Sequence, residues 1–181
     1  MAAKVKNKNK KFIELILYIA RKTESDLRCG KTKLYKILFY ADFWAFQKLG
    51  HSISGQEYQK LKNGPAPRQA LPVIETMTRE SLCAWAERDH FGKVQQKLFA
   101  LREPNLSGFS GDEIAIVQDV IRMLWQLDAS DVSNLSHRFI GWQLAAEGET
   151  IPYSTVALGQ PRSATPQEIE YGQKLAREIS G

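Results

Sequence analysis

Cysteine and histidine are scarce in this chain of 181 residues: Cys29, Cys83, His51, His90 and His137 are all there are. Two thiols in apolar surroundings make no disulfide scaffold, and a chain of this length can bury a core without one. They read as reduced, buried thiols of a cytoplasmic protein. The histidines lie far apart with no ligand at metal spacing beside them, so no zinc site and no metal or organic cofactor is expected. Long apolar runs are missing too. Nothing reaches the roughly 18 residues of a membrane span. The nearest approach, Phe12 to Ala20, follows a lysine-rich start and so mimics a secretory signal. Glu14 interrupts it, Arg21 and Lys22 follow it, and no small-residue cleavage site appears. Asn105-Leu-Ser and Asn134-Leu-Ser match the glycosylation triplet, which has meaning only on export.

Acid is absent from the first eleven residues, where Lys4, Lys6, Lys8, Lys10 and Lys11 supply five positive charges. The other 20 basic residues balance the 20 acidic ones, so the net charge of +5 belongs to one end. Residues 1–11 read as a solvated tail, with a weakly nucleic-acid-contacting arm as the alternative. Catalytic constellations are missing as well. Gly30-Lys31-Thr32 copies the end of a phosphate-binding loop, but position 25 holds serine where that motif needs glycine. Gly108-Phe-Ser110-Gly111 is one residue short of a nucleophile elbow, and Ser110 has a capping role instead. No enzyme is expected.

What remains is helical patterning around one aromatic helix. Phe12, Leu15, Ile16 and Ile19 fall on one helical face. The next helix, Lys31 to Leu49, carries two stripes: Leu34, Ile37, Leu38, Ala41 and Ala45, then Tyr35, Phe39, Asp42 and Phe46. A helix that is apolar on more than one side is packed from several directions. Gly50 ends it. Gly64 and Ala66 each precede proline and are pushed toward extended geometry, so Gly64-Pro65-Ala66-Pro67 should be a stiff strip. A third helix follows, kinked at Pro72 or starting there. Residues 82–102 switch to period two about Asp89-His90-Phe91-Gly92, a β-hairpin to which residues 56–62 are expected to add a strand. Ser110 with Glu113 is a capping box for a helix to about Leu127. Asp131 is expected to cap a short helix ending near His137. Thr165 with Glu168 opens a thin, peripheral final helix after a loop over 157–164. The fold class is mainly α (α+β), a compact helical domain with a small antiparallel β element.

Asp42 is the most unusual residue of the aromatic stripe, since an unpaired carboxylate there would be costly. It accepts hydrogen bonds from backbone or a hydroxyl in the following loop and pins that turn, or it faces a partner, and both can hold at once. Tyr58 and Lys60 share one face of a short extended segment, as core or as contact. Tyrosine and tryptophan are enriched at interface hot spots. His137 ends a helix, where it satisfies a carbonyl or meets a partner.

Leu34-Tyr-Lys-Ile-Leu-Phe-Tyr-Ala-Asp42, Ile53-Ser-Gly55 with Tyr58, Gly64-Pro-Ala-Pro67, Leu135-Ser-His137, Trp142 and Ile151-Pro-Tyr153 occur in an order that resembles the Panacea domain, the SocA-like antitoxin family. The resemblance spans about residues 10–155, within a domain bounded at 12–155 and followed by a loop and helix over 156–181. Ala66 stands where the family usually places valine. The resemblance implies a small bacterial or phage-borne antitoxin that neutralises a toxin encoded beside it by protein contact. Toxins paired with this family have many folds, so their identity does not carry over. Asp42, Ser54, Tyr58, Lys60, Gly64, Pro65, Pro67, His137 and Trp142 become the candidate partner-binding residues. Two other readings stay open: a DNA-binding regulator using the hairpin as a wing, and a general interaction or adaptor protein.

Overall fold

The computed structural model describes residues 9–90, 93–158 and 166–179. Its order is α1 (Lys10–Lys22), α2 (Lys31–Leu49), β1 (Tyr58–Gln59), β2 (Ala66–Pro67), α3 (Ala70–Arg79), β3 (Cys83–His90), β4 (Lys93–Ala100), α4 (Gly111–Leu124), α5 (Ala129–His137), α6 (Ile140–Leu144), β5 (Thr150–Ile151), a 3₁₀ turn over Tyr153–Ala157, and α7 (Pro166–Ile179). The fold is mainly α with a small antiparallel β part, as the periodicity predicts.

α2 packs against two separate apolar clusters. Leu34, Ile37, Leu38, Ala41 and Ala45 enter the main core with Phe12, Leu15, Ile16 and Ile19 of α1 and Val117, Val120, Ile121 and Leu124 of α4. Phe39 and Phe43 enter a smaller one with Tyr58 and Ile151, flanked by Phe139, Trp142 and Tyr153. That second cluster is mostly aromatic, with Phe39 and Phe43 ring centres 4.4 Å apart and Phe43 and Tyr153 4.7 Å apart. Tilted and edge-on packing of this kind adds to the area buried. Gly50 takes the left-handed conformation, φ 80°, and its N–H closes onto the Phe46 carbonyl, which stops α2.

Several boundaries differ from expectation, each for a local reason. Residues 58–59 do not join the hairpin. They form the centre of a second sheet in the order β2-β1-β5, with Tyr58 opposite both Pro67 and Ile151. Placing β2 at an edge suits prolines, which cannot donate to a ladder. Pro72 sits in the first turn of α3, where its missing N–H costs nothing, so the helix is not broken there. The cap of α5 is Asp128, which accepts from the N–H groups of Ser130 and Asp131; Asp131 supplies the reciprocal half of the box. Ser110 and Glu113 form their capping box as predicted, although the helix ends at Leu124. Lys10 and Lys11 begin α1 instead of ending a tail, and Lys11 bonds Glu113 at 2.7 Å. Lys4, Lys6 and Lys8, the Phe91-Gly92 turn and Thr165 lie outside the described residues.

The α1–α2 loop is fastened by two buried lysines. Lys33 reaches Asp26 at 2.7 Å and the carbonyls of Trp125 and Leu127 at 2.9 Å. Lys97 donates to the carbonyls of Glu24 and Asp26. Buried ammonium groups survive only with their donors satisfied in this way. Cys29 and Cys83 are both free and buried. Among the described residues no helix is long and apolar enough to cross a membrane, and no cluster of His, Cys, Asp or Glu is suited to a metal. The Gly30-Lys31-Thr32 triplet opens α2 with Gly30 as its cap, following a loop from a helix and not a strand.

Candidate functional site

The sequence-predicted residues assemble in three layers between α2, the small sheet and the α5–α6 corner. The innermost is centred on Asp42, which is fully buried. One carboxylate oxygen accepts from the Ser54 N–H at 2.8 Å. The other accepts from the Ser54 hydroxyl and, at 2.7 Å, from the Tyr58 hydroxyl. The Tyr153 hydroxyl lies 3.5 Å from that second oxygen and donates at 2.6 Å to the Gln56 carbonyl. Burial lifts the Asp42 carboxyl above the ordinary carboxylate range, and this ring of donors works against the lift. The Tyr58 hydroxyl is held well above its usual value by burial and the neighbouring carboxylate. Of the two readings of Asp42, the structure holds the one in which it pins the loop. Tyr58, named among the candidate contacts, is core: it is 1% exposed and packs edge-on against Phe39 and Phe43.

The middle layer is the glycine–proline strip. Gly64, Pro65, Ala66 and Pro67 are all buried, so Gly64, Pro65 and Pro67 shape the face from within. Gly64 has φ 93°, and a Cβ added there would strike the Ser136 hydroxyl and come within 2.9 Å of Lys36. Lys36, from α2, is 2% exposed and donates to the Pro65 carbonyl at 2.8 Å. Burial lowers its ammonium to about 7. The strip thus rests on a lysine, and only glycine lets the backbone approach so closely.

The outer layer is half-exposed and joins two distant segments. Trp142 of α6 stacks on the His137 ring, with centres 4.1 Å apart and planes 14° apart. The Lys60 ammonium lies 4.4 Å from the Trp142 ring centre and donates to the Ala145 carbonyl at 2.9 Å. The indole N–H reaches the Leu61 carbonyl at 3.2 Å. His137 is held below its ordinary range by partial burial and by the charges of Lys36 and Lys60. Lys60 therefore meets His137 and Trp142, some 80 residues further along the chain, in one surface.

Lys36, Ser136, Phe139, Tyr153 and Arg68 were not among the candidates. Arg68 ties the sheet together through Gln59, Thr150 and the Gly148 carbonyl. A signal for Lys36 did exist: a lysine flanked by Tyr35 and Ile37 on a helix with two apolar stripes has to end in a polar partner.

What these layers define is a mainly helical domain whose small sheet is buttoned onto a central aromatic helix by a buried carboxylate and a buried lysine. The model of the antitoxin SocA-like, Panacea domain family matches residues 34–143, well over half the chain, and the chain belongs to that family. The match starts in α2 and ends at Gln143, just beyond Trp142, so it takes in the greater part of all three layers. Neither the curated proteins nor the solved structures give a match to this chain.

Proposed function

We propose that this chain is a cytoplasmic antitoxin that neutralises the product of an adjacent gene by direct contact, acting as a binding partner and not as a catalyst. Family membership supports an antitoxin role in general. The observation that carries the finer reading is the layered site itself. Its buried residues, Asp42, Ser54, Tyr58, Gly64, Pro65 and Pro67, hold the β1–β2 segment against α2. Its outer residues, Lys60, His137 and Trp142, present a half-exposed aromatic and basic face. Rigid placement of an anchoring tryptophan and its neighbours lowers the ordering cost of association. The rest of the family signature serves to build that face.

Expression of the neighbouring open reading frame alone should arrest growth, and this chain supplied in trans should restore it. The two products should co-purify as a complex. Trp142→Ala should weaken the complex by tenfold or more at a temperature where circular dichroism shows the variant still folded. A harmless neighbour, or a toxic one that this chain neither binds nor rescues, would overturn the proposal.

A further inference from the structure

The outer layer is unusual in charge. Lys60 and His137 meet at Trp142, and the charges of Lys60 and of buried Lys36 both bear on the His137 imidazole. The main chain of exposed Lys62 hydrogen-bonds that ring. Exposed Arg138 follows directly in the chain, and its charge is felt at the Tyr40 hydroxyl. Among the described residues no carboxylate pairs with any of these groups. The ion pairs Lys11–Glu113, Lys33–Asp26 and Arg102–Glu14 lie elsewhere. Lys60 has only main-chain carbonyls, at 2.9 Å and 3.5 Å, and Lys36 only the Pro65 carbonyl. The Nε2 atom of His137 is buried without a partner.

Residues 12–181 carry as many acids as bases; exposed Glu147 and Glu149 stand on the turn whose backbone pairs with Lys60, and Glu149 turns back to accept from the Ala146 N–H instead of pairing with a lysine. Beside the basic groups lie two apolar side chains facing solvent, Leu61 at 37% and Leu144 at 68% exposure.

From this arrangement we infer that the Lys60–Lys62–His137–Trp142 face receives an acidic segment of the toxin, a carboxylate set between the lysines with an apolar neighbour over Leu144. The inference deepens the proposed function and rests on it for the identity of the occupant. Charge complementarity selects the class. A carboxylate entering here gains charge-assisted hydrogen bonds from the half-exposed Lys60 ammonium, whose present hydrogen-bond partners are carbonyls, and from exposed Lys62. It also meets an indole already polarised by a cation. A nucleic-acid strand fits less well. It presents one charge for every few ångströms and needs a basic track, whereas this patch is compact and rimmed by leucine. Steering by such a patch acts mainly on the association rate.

The test has two arms. In the first, the neighbouring gene product is titrated against the full chain, Lys62→Glu and the control Arg79→Glu, which reverses an exposed charge on α3. Lys62→Glu should weaken binding at least tenfold, chiefly through slower association at low salt, with an unchanged melting temperature. Arg79→Glu should bind like the parent. If the parent binds and Lys62→Glu binds as tightly as Arg79→Glu, the acidic-segment inference falls while the antitoxin reading stands. In the second arm, isotope-labelled protein is titrated with hexaglutamate and with a six-nucleotide oligothymidine. Hexaglutamate should shift the Trp142 indole N–H and the amides of residues 60–62, and should do so more than the oligonucleotide. That result without any toxin binding would support the surface and sink the antitoxin reading. Shifts confined to other regions, or a stronger response to oligothymidine, would overturn the inference.

Discussion

Replacing Lys36 with methionine should remove most of the pH dependence of this protein's stability between pH 6 and 9. In the unfolded chain the lysine stays protonated up to about 10.5; in the fold, burial brings it to about 7. Between these limits the unfolded state holds a proton that the native state has released, so stability rises with pH. Below about 7 both states are protonated and the penalty is at its full value. At about 1.36 kcal/mol per pH unit the whole difference amounts to an upper bound of about 4–5 kcal/mol, of which about 2–3 kcal/mol falls between pH 7 and 9. Methionine keeps the length and apolar stem, and takes away the charge. It leaves the Pro65 carbonyl without its 2.8 Å partner, at a cost of about 1–3 kcal/mol. The variant should therefore lie close to the parent at pH 9, exceed it at pH 6, and show a nearly flat profile between. Urea midpoints measured from pH 6 to 9 read this directly. Burial also raises the Cys29 and Cys83 thiols, so both begin to remove stability toward the upper end of this window, and do so equally in parent and variant. Parallel profiles for parent and variant would show that Lys36 is not the titrating group, and would refute the claim that the glycine–proline strip rests on a desolvated amine.

Two further substitutions probe the inner layers. Tyr58→Phe keeps the ring and removes one donor to Asp42, and should cost about 1–3 kcal/mol by chemical denaturation. Tyr58→Ala should empty part of the aromatic cluster and melt as badly as Leu38→Ala, at about 3–5 kcal/mol; a Tyr58→Ala protein of parental stability would contradict its burial. Gly64→Ala combines a positive φ with a clash against Ser136 and Lys36, and should cost at least about 2 kcal/mol. A neutral Gly64→Ala in the same melts would mean that the strip shifts freely.

The elements of this protein were legible in its sequence because each is signalled locally. Hydrophobic periodicity places the helices, Gly50 stops α2, Ser110 and Glu113 open α4, and alternation marks the hairpin. The apolar stripe of α2 even announced the main core, since helical spacing sorts Leu34 through Ala45 from Phe39 without reference to any other segment. Helix ends were less secure, because Asp128 and Asp131 can each cap and only the loop geometry chooses between them.

The pairing of short segments was not legible. Two-residue strands carry no alternation to read, so nothing along the chain joined Tyr58 to Ile151 or separated it from the hairpin. Likewise, a tyrosine beside a glycine–proline turn suits a surface as well as a core. What decides for the core is Asp42, sixteen residues earlier, whose buried charge requires donors that α2 does not supply on that side. The same logic governs Lys36 beneath Pro65 and Lys60 over Trp142. In each case one polar atom had to be satisfied by a group far away in sequence. Composition and spacing reveal that such a need exists, but only the three-dimensional fold determines which distant carbonyl, hydroxyl or ring meets it.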